Sequence, residues 1–118
     1  MILRAAAGSD VGRRRAANED HYALAPDIGL YLVADGLGGH VAGQVASELA
    51  AEAALRTVRT LEGAAPSLAE KLRYAVTAAN REVHETARRR PELQGMGTTL
   101  VALLAQEGRQ PDDQGVVL

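Results

Sequence analysis

Apolar residues along this chain fall into short continuous runs and long helical periods. Leu30-Tyr31-Leu32-Val33-Ala34 and Thr98-Thr99-Leu100-Val101-Ala102-Leu103-Leu104-Ala105 are brief and unbroken, which predicts two buried strands. His21 to Leu24 is a shorter candidate strand. Between it and Leu30, Pro26-Asp27-Ile28-Gly29 carries turn chemistry, with proline presetting φ and glycine supplying a positive φ. These segments predict a β-hairpin. The stretch from Met1 to Val11 is apolar until Gly8-Ser9-Asp10 and suits an opening strand.

A helical period starts near Val41, with Val45, Leu49 and Ala53 beside Ala42, Ala46 and Ala50 on one broad face. The spacing predicts a helix of about five turns ending near Gly63. Pro66 and Ser67 open the next helix, and Glu70 stands three residues after Ser67, as a capping box requires. Leu68, Leu72, Ala75, Val76, Ala79, Val83 and Ala87 then repeat at helical spacing until Pro91. After the second strand, Glu107-Gly108-Arg109 reads as a turn, Gln110 to Gln114 is polar, and Val116-Val117-Leu118 reads as the start of another strand. Strand, hairpin, two long helices and strand make an α+β fold.

Composition narrows the function classes. A length of 118 residues suits one domain, and 47% hydrophobic with 24% charged residues excludes wholesale disorder. A net charge of -2 gives no footprint for nucleic acid. No apolar run reaches the roughly 20 residues of a membrane span. The residues after Arg4 lack a secretory signal pattern, so a cytoplasmic location is expected. The absence of cysteine removes disulfides, thiol catalysis and zinc-thiolate sites. With no Phe and no Trp, the core must be built from Ala, Val and Leu.

Candidate chemistry gathers around Asp35-Gly36-Leu37-Gly38-Gly39-His40, which breaks the strand before the first long helix. Its glycines do not follow G-x-G-x-x-G and no G-K-[ST] is present, so dinucleotide and P-loop sites are disfavoured. Asp35 ends one strand of the hairpin and Glu19-Asp20 precede the other, which brings three carboxylates toward one end of the sheet. Such a cluster repels itself unless a positive charge lies within it, and hard cations such as Mg²⁺ or Mn²⁺ take oxygen ligands. The alternative is an Asp35 that caps the helix and a Glu19-Asp20 pair solvated in a loop. His84-Glu85 is followed by Arg88 where a zinc protease needs its second histidine, and Ser47 and Ser67 lack a nucleophile-elbow context. Arg13-Arg14-Arg15 reads as a solvated loop unless its context argues for anion binding.

Ser9-Asp10-Val11-Gly12, Arg15 with Asn18-Glu19-Asp20, Val33 to His40, and Gly95-Met96-Gly97-Thr98-Thr99-Leu100 occur in that order. The set closely resembles the N-terminal part of bacterial metal-dependent protein phosphatases of the PPM type, the type 2C serine/threonine phosphatases. The resemblance implies half of an α-β-β-α sandwich, antiparallel sheets flanked by paired helices, with residues 1–109 as the N-terminal portion and 110–118 as a divergent polar tail. It implies hydrolysis of phosphoserine and phosphothreonine in phosphoprotein substrates by metal-activated water attacking phosphorus in line. It also implies Mn²⁺ or Mg²⁺ as cofactors in a two-metal centre. Asp35 would bridge the metals, the Gly36 carbonyl would ligate one of them, and Glu19 and Asp20 would hold metal or metal-bound water. Arg15 would bind the substrate phosphate, and His40 would protonate the leaving oxygen.

The sequence also departs from that family. A Gly-Asp-Ser motif and an Asp-Asn pair, which supply further metal ligands in relatives, are absent, and beyond Asp35 the only aspartates are Asp112 and Asp113. This leaves open a catalytically inactive fragment or binding module, and a partner that completes the sheet. Neither nucleic acid nor a membrane is expected as a partner.

Overall fold

The computed structural model describes residues 20–64, 66–105 and 115–117. Four strands and two long helices account for most of them: β1 (Asp20–Ala25), β2 (Leu30–Leu37), α1 (His40–Thr60), α2 (Leu68–Arg89), β3 (Gly97–Leu104) and β4 (Gly115–Val117). The strands form one antiparallel sheet in the order β1-β2-β3-β4. This is the α+β architecture that the hydrophobic pattern predicts. The expected opening strand over Met1 to Val11 and the turn at Glu107-Gly108-Arg109 lie outside the described residues.

The hairpin turn follows its local chemistry. Pro26–Ile28 makes one 3-10 turn, and Gly29 closes it at φ 71 with its N–H donating to the Pro26 carbonyl. The Gly29 carbonyl accepts from the Ala105 N–H at 2.9 Å, tying the turn to the end of β3. Ser67 caps α2, its hydroxyl oxygen accepting from the Glu70 N–H at 3.2 Å. Arg88 and Arg89 occupy the last turn of α2, at the negative end of the helix dipole. Pro91 follows the helix in a short 3-10 turn, Pro91–Leu93.

The strand pattern divides the sheet into two faces. In β2, Leu30, Leu32, Ala34 and Gly36 are buried against the helices, while Tyr31, Val33, Asp35 and Leu37 point the other way. The helix-side core is largely alanine and leucine: Ala46, Ala50, Ala53, Ala54, Leu72 and Ala75 are nearly inaccessible to solvent. Small side chains let α1 lie close to both α2 and the sheet, so a core without Phe or Trp still closes. On the opposite face Tyr22, Val33, Leu37 and Val101 are 44% to 56% exposed.

One expectation from the sequence needs correction. Asp35 does not end its strand, and Asp35-Gly36-Leu37 does not break it: β2 runs on to Leu37, with Asp35, Gly36 and Leu37 paired to Thr99, Thr98 and Gly97 of β3. Ladder pairing with β3 overrides the weak strand preference of Asp and Gly.

Candidate metal centre

The register of the hairpin decides which carboxylates meet. Asp20 of β1 pairs directly with Asp35 of β2, and Asp35 pairs with Thr99 of β3. Residues opposite one another share a face, with Cβ atoms roughly 4.5–5.5 Å apart. Asp20, Asp35 and Thr99 therefore form a cross-strand row on the face away from the helices, at the end of the sheet where β2 leads into α1. Both aspartates are half-buried, and each makes further interactions. Like charges directly opposite are destabilising unless positive charge compensates them, so the pair attracts a cation, whether a side chain or a metal ion.

Gly36 extends this row through its backbone. A Cβ built at Gly36 would lie 2.0 Å from the Gly43 carbonyl oxygen, so strand and helix backbones touch where α1 begins. Only glycine permits that approach. Thr98 and Thr99 fix the same segment from the other side. The Thr98 hydroxyl lies 3.0 Å from the Asp35 carbonyl oxygen and 2.8 Å from that of Thr99, and the Thr99 hydroxyl reaches the Asp35 carbonyl at 3.5 Å. The Gly95 to Leu100 motif thus buttresses the Asp35 backbone.

Of the sequence-derived site residues, the structure brings together Asp20, Asp35 and the Gly36 backbone. Arg15 and Glu19 lie outside the described residues. His40 is the first residue of α1, and only its backbone is described. Among the described residues no group of three His, Cys, Asp or Glu side chains forms a metal-binding cluster. Two carboxylates and a neighbouring carbonyl are hard oxygen donors, a set that fits Mg²⁺ or Mn²⁺ and does not fit soft metals.

Sequence reasoning missed two contacts. The Gly-Met-Gly-Thr-Thr motif is visible in the sequence, but the reach of its threonine hydroxyls to the Asp35 carbonyl is not. His21, which the pattern places only at the start of a short strand, has its Nδ1 2.8 Å from Ser47 Oγ on α1. A polar residue within the alanine-rich face of that helix was the available signal. Elsewhere, a groove of about 970 Å³ runs between α2 and β3, lined among others by Val83, His84, Met96 and Leu100. Thr99 also lines it, whereas Asp20 and Asp35 do not, so the two carboxylates lie outside the groove.

A four-stranded antiparallel sheet backed by two long helices, with an oxygen-only acidic row at one end, defines an α+β half-sandwich. The chain belongs to the protein phosphatase 2C family, whose sequence model matches residues 7–114. It is 48% identical over 105 residues to the serine/threonine protein phosphatase PstP of Mycobacterium tuberculosis, covering 88% of this chain and 20% of PstP. The crystal structure of the Mycobacterium tuberculosis phosphatase PstP/Ppp superposes with a TM-score of 0.78 at 40% identity, over 94% of this chain and 44% of that one. The PstP catalytic domain in complex with two manganese ions gives a TM-score of 0.70 at 41% identity, over 86% and 42% of the two chains. The chain thus spans less than half the length of these relatives. No described helix is long and apolar enough to cross a membrane.

Proposed function

We propose that this chain forms the N-terminal, metal-holding portion, residues 1–109, of a Mg²⁺- or Mn²⁺-dependent phosphatase acting on phosphoserine and phosphothreonine in proteins. The observation that carries this reading is the Asp20–Asp35 pair placed opposite each other across β1 and β2. The two manganese ions in the PstP catalytic domain support the choice of cation. Asp35, Asp20, Glu19 and the Gly36 carbonyl would hold the metals. When bound, a pair of divalent cations acidifies water and offsets charge on the phosphoryl group. Arg15 grips phosphate oxygens bidentately, which a lysine cannot do. His40 donates a proton to the departing serine or threonine oxygen. Cleavage of the phosphate ester by water then depends on positioning and charge neutralisation more than on covalent help. A cytoplasmic setting and a role in reversing protein phosphorylation complete this reading.

The test is hydrolysis of an aryl phosphate by the purified chain, with and without Mn²⁺, against Asp35→Asn. Turnover that needs both the metal and Asp35 supports the reading. Equal turnover in Asp35→Asn overturns the site assignment.

A second reading is a metal-holding or binding module that does not turn over alone. The open apolar sheet face favours it. So does the edge of β3, where β4 pairs only with Ala102–Leu104 and, among the described residues, leaves Gly97–Val101 unpaired on that side. A partner completing the sheet would cover both. Absence of hydrolysis together with a single weak Mn²⁺ site, or none, is the outcome expected of this module.

A further inference from the structure

Ser47 is the one polar residue buried in the core among the described residues, at 0% exposure, and its neighbours along α1 are Ala46, Ala50 and Ala51. Burying a hydroxyl is unfavourable unless it is hydrogen-bonded, so its place in an alanine face needs a reason. The Ser47 hydroxyl donates to the Gln44 carbonyl at 3.2 Å, and His21 Nδ1 lies 2.8 Å from the same oxygen. A hydroxyl has one proton. With it directed at Gln44, the Ser47 oxygen accepts from Nδ1–H, and both polar groups are satisfied.

The turn at Pro26–Gly29 sets the pairing of Ala25 with Leu30, and the His21–Ser47 bond lies at the far end of β1, where the strand is furthest from that turn. The inward residues of β1 are His21, Ala23 and Ala25, and small apolar groups hold a strand weakly against slipping. A slip of one residue would turn His21 outward and Asp20 toward α1, removing Asp20 from the row with Asp35. The opposing contact on α1 is not placed at random. Gly43 and Ser47 stand four residues apart, hence on one helix face. Gly43 abuts Gly36 of β2, and Ser47 bonds His21 of β1. One helix face therefore locates both strands whose aspartates face each other.

We infer that His21, acting through Ser47, is a positioning residue for Asp20: the bond locks the far end of β1 in the register that sets Asp20 opposite Asp35. This rests on the metal-holding role proposed above, but its structural half can be measured without metal. Four variants test it: His21→Leu, which keeps apolar bulk; His21→Asn, whose amide reproduces the Nδ1 position; Ser47→Ala, which suits its alanine surroundings; and the double variant His21→Leu/Ser47→Ala.

Cross-strand NMR contacts between residues 20 and 35 read the register in metal-free chain. Broadening of the Asp20 and Asp35 signals on titration with Mn²⁺ reads the site. His21→Leu and Ser47→Ala should each lose the cross-strand contact and weaken Mn²⁺ binding about tenfold, the double variant no further, with His21→Asn close to wild type. Thermal melts identify any variant that has lost its fold, and Ser47→Ala then decides. An intact contact between residues 20 and 35 in folded His21→Leu and Ser47→Ala overturns the inference. If the wild type shows no Mn²⁺ broadening, the metal reading falls while the cross-strand contacts still decide the positioning role.

Discussion

Asp20 and Asp35 stand directly opposite each other in the register of β1 and β2, and Thr99 of β3 continues the row. That relationship starts from the turn between the strands, and the His21–Ser47 bond stands beside its far end. Pro26–Ile28 and Gly29 fix the hairpin connection, Leu30 pairs with Ala25, and counting outward brings residue 20 against residue 35. A hairpin of this length and register thus assembles an acidic pair from positions fifteen residues apart in sequence, with both side chains on the face away from the helices.

Gly36→Ala should be strongly destabilising. The added methyl would meet the Gly43 carbonyl at 2.0 Å, and backbone cannot yield as a side chain tip does. A loss of about 3 kcal/mol is expected from overpacking of this severity, read by urea denaturation. Wild-type stability in that variant would show that the strand and helix do not touch as described.

Thr98→Val keeps the β-branched shape and removes the hydroxyl that reaches the Asp35 carbonyl at 3.0 Å. Stability should fall by about 1 kcal/mol, and Thr98→Ser should recover most of it. A Thr98→Ser variant no better than Thr98→Val would assign the effect to packing rather than to the hydrogen bond.

Ser67→Ala removes the cap of α2, where the serine oxygen accepts from the Glu70 N–H. The expected cost is about 1 kcal/mol, seen as a lower melting temperature by circular dichroism. An unchanged melt would mean that tertiary packing of Leu72, Ala75, Ala79 and Val83 holds the helix end without its cap.

Arg59 near the end of α1 donates to Asp27 in the hairpin turn at 2.7 Å. Chiefly through that hydrogen bond, it holds the Asp27 carboxyl below the usual carboxylate range. A lowered folded-state pKa stabilises the fold above the unfolded-state value, and the contribution disappears as pH falls through the lowered one. Asp27→Asn should therefore reduce the melting temperature slightly at neutral pH, less so at high salt, and not at all once the carboxylate is protonated. A difference that persists into strong acid would point to another cause.

Much of the fold was legible in the sequence because its signals are local. Apolar spacing marks both helices, Ser67 with Glu70 marks the start of α2, and Pro26 with Gly29 marks the hairpin turn. The end of β2 was not legible. Asp35-Gly36-Leu37 looks like a strand terminus in isolation, and only the pairing with Gly97–Thr99 shows that it is strand. The candidate site followed the same division. Asp20 and Asp35 could be brought together by drawing the hairpin, whereas the Thr98 contact spans 63 residues and the His21–Ser47 bond spans 26. The first depends on β3 pairing with β2 and the second on how α1 lies across the sheet, and no local pattern encodes either.

Mn²⁺ titration of the chain, followed by calorimetry for the wild type and for Asp20→Asn and Asp35→Asn, tests the acidic row most directly. The expected result is binding by the wild type that is lost in both variants, since each removes one of two opposed carboxylate ligands. Wild-type chain that takes up no Mn²⁺, or an Asp35→Asn variant that binds it as tightly as wild type, would contradict the assignment of this row as a metal centre.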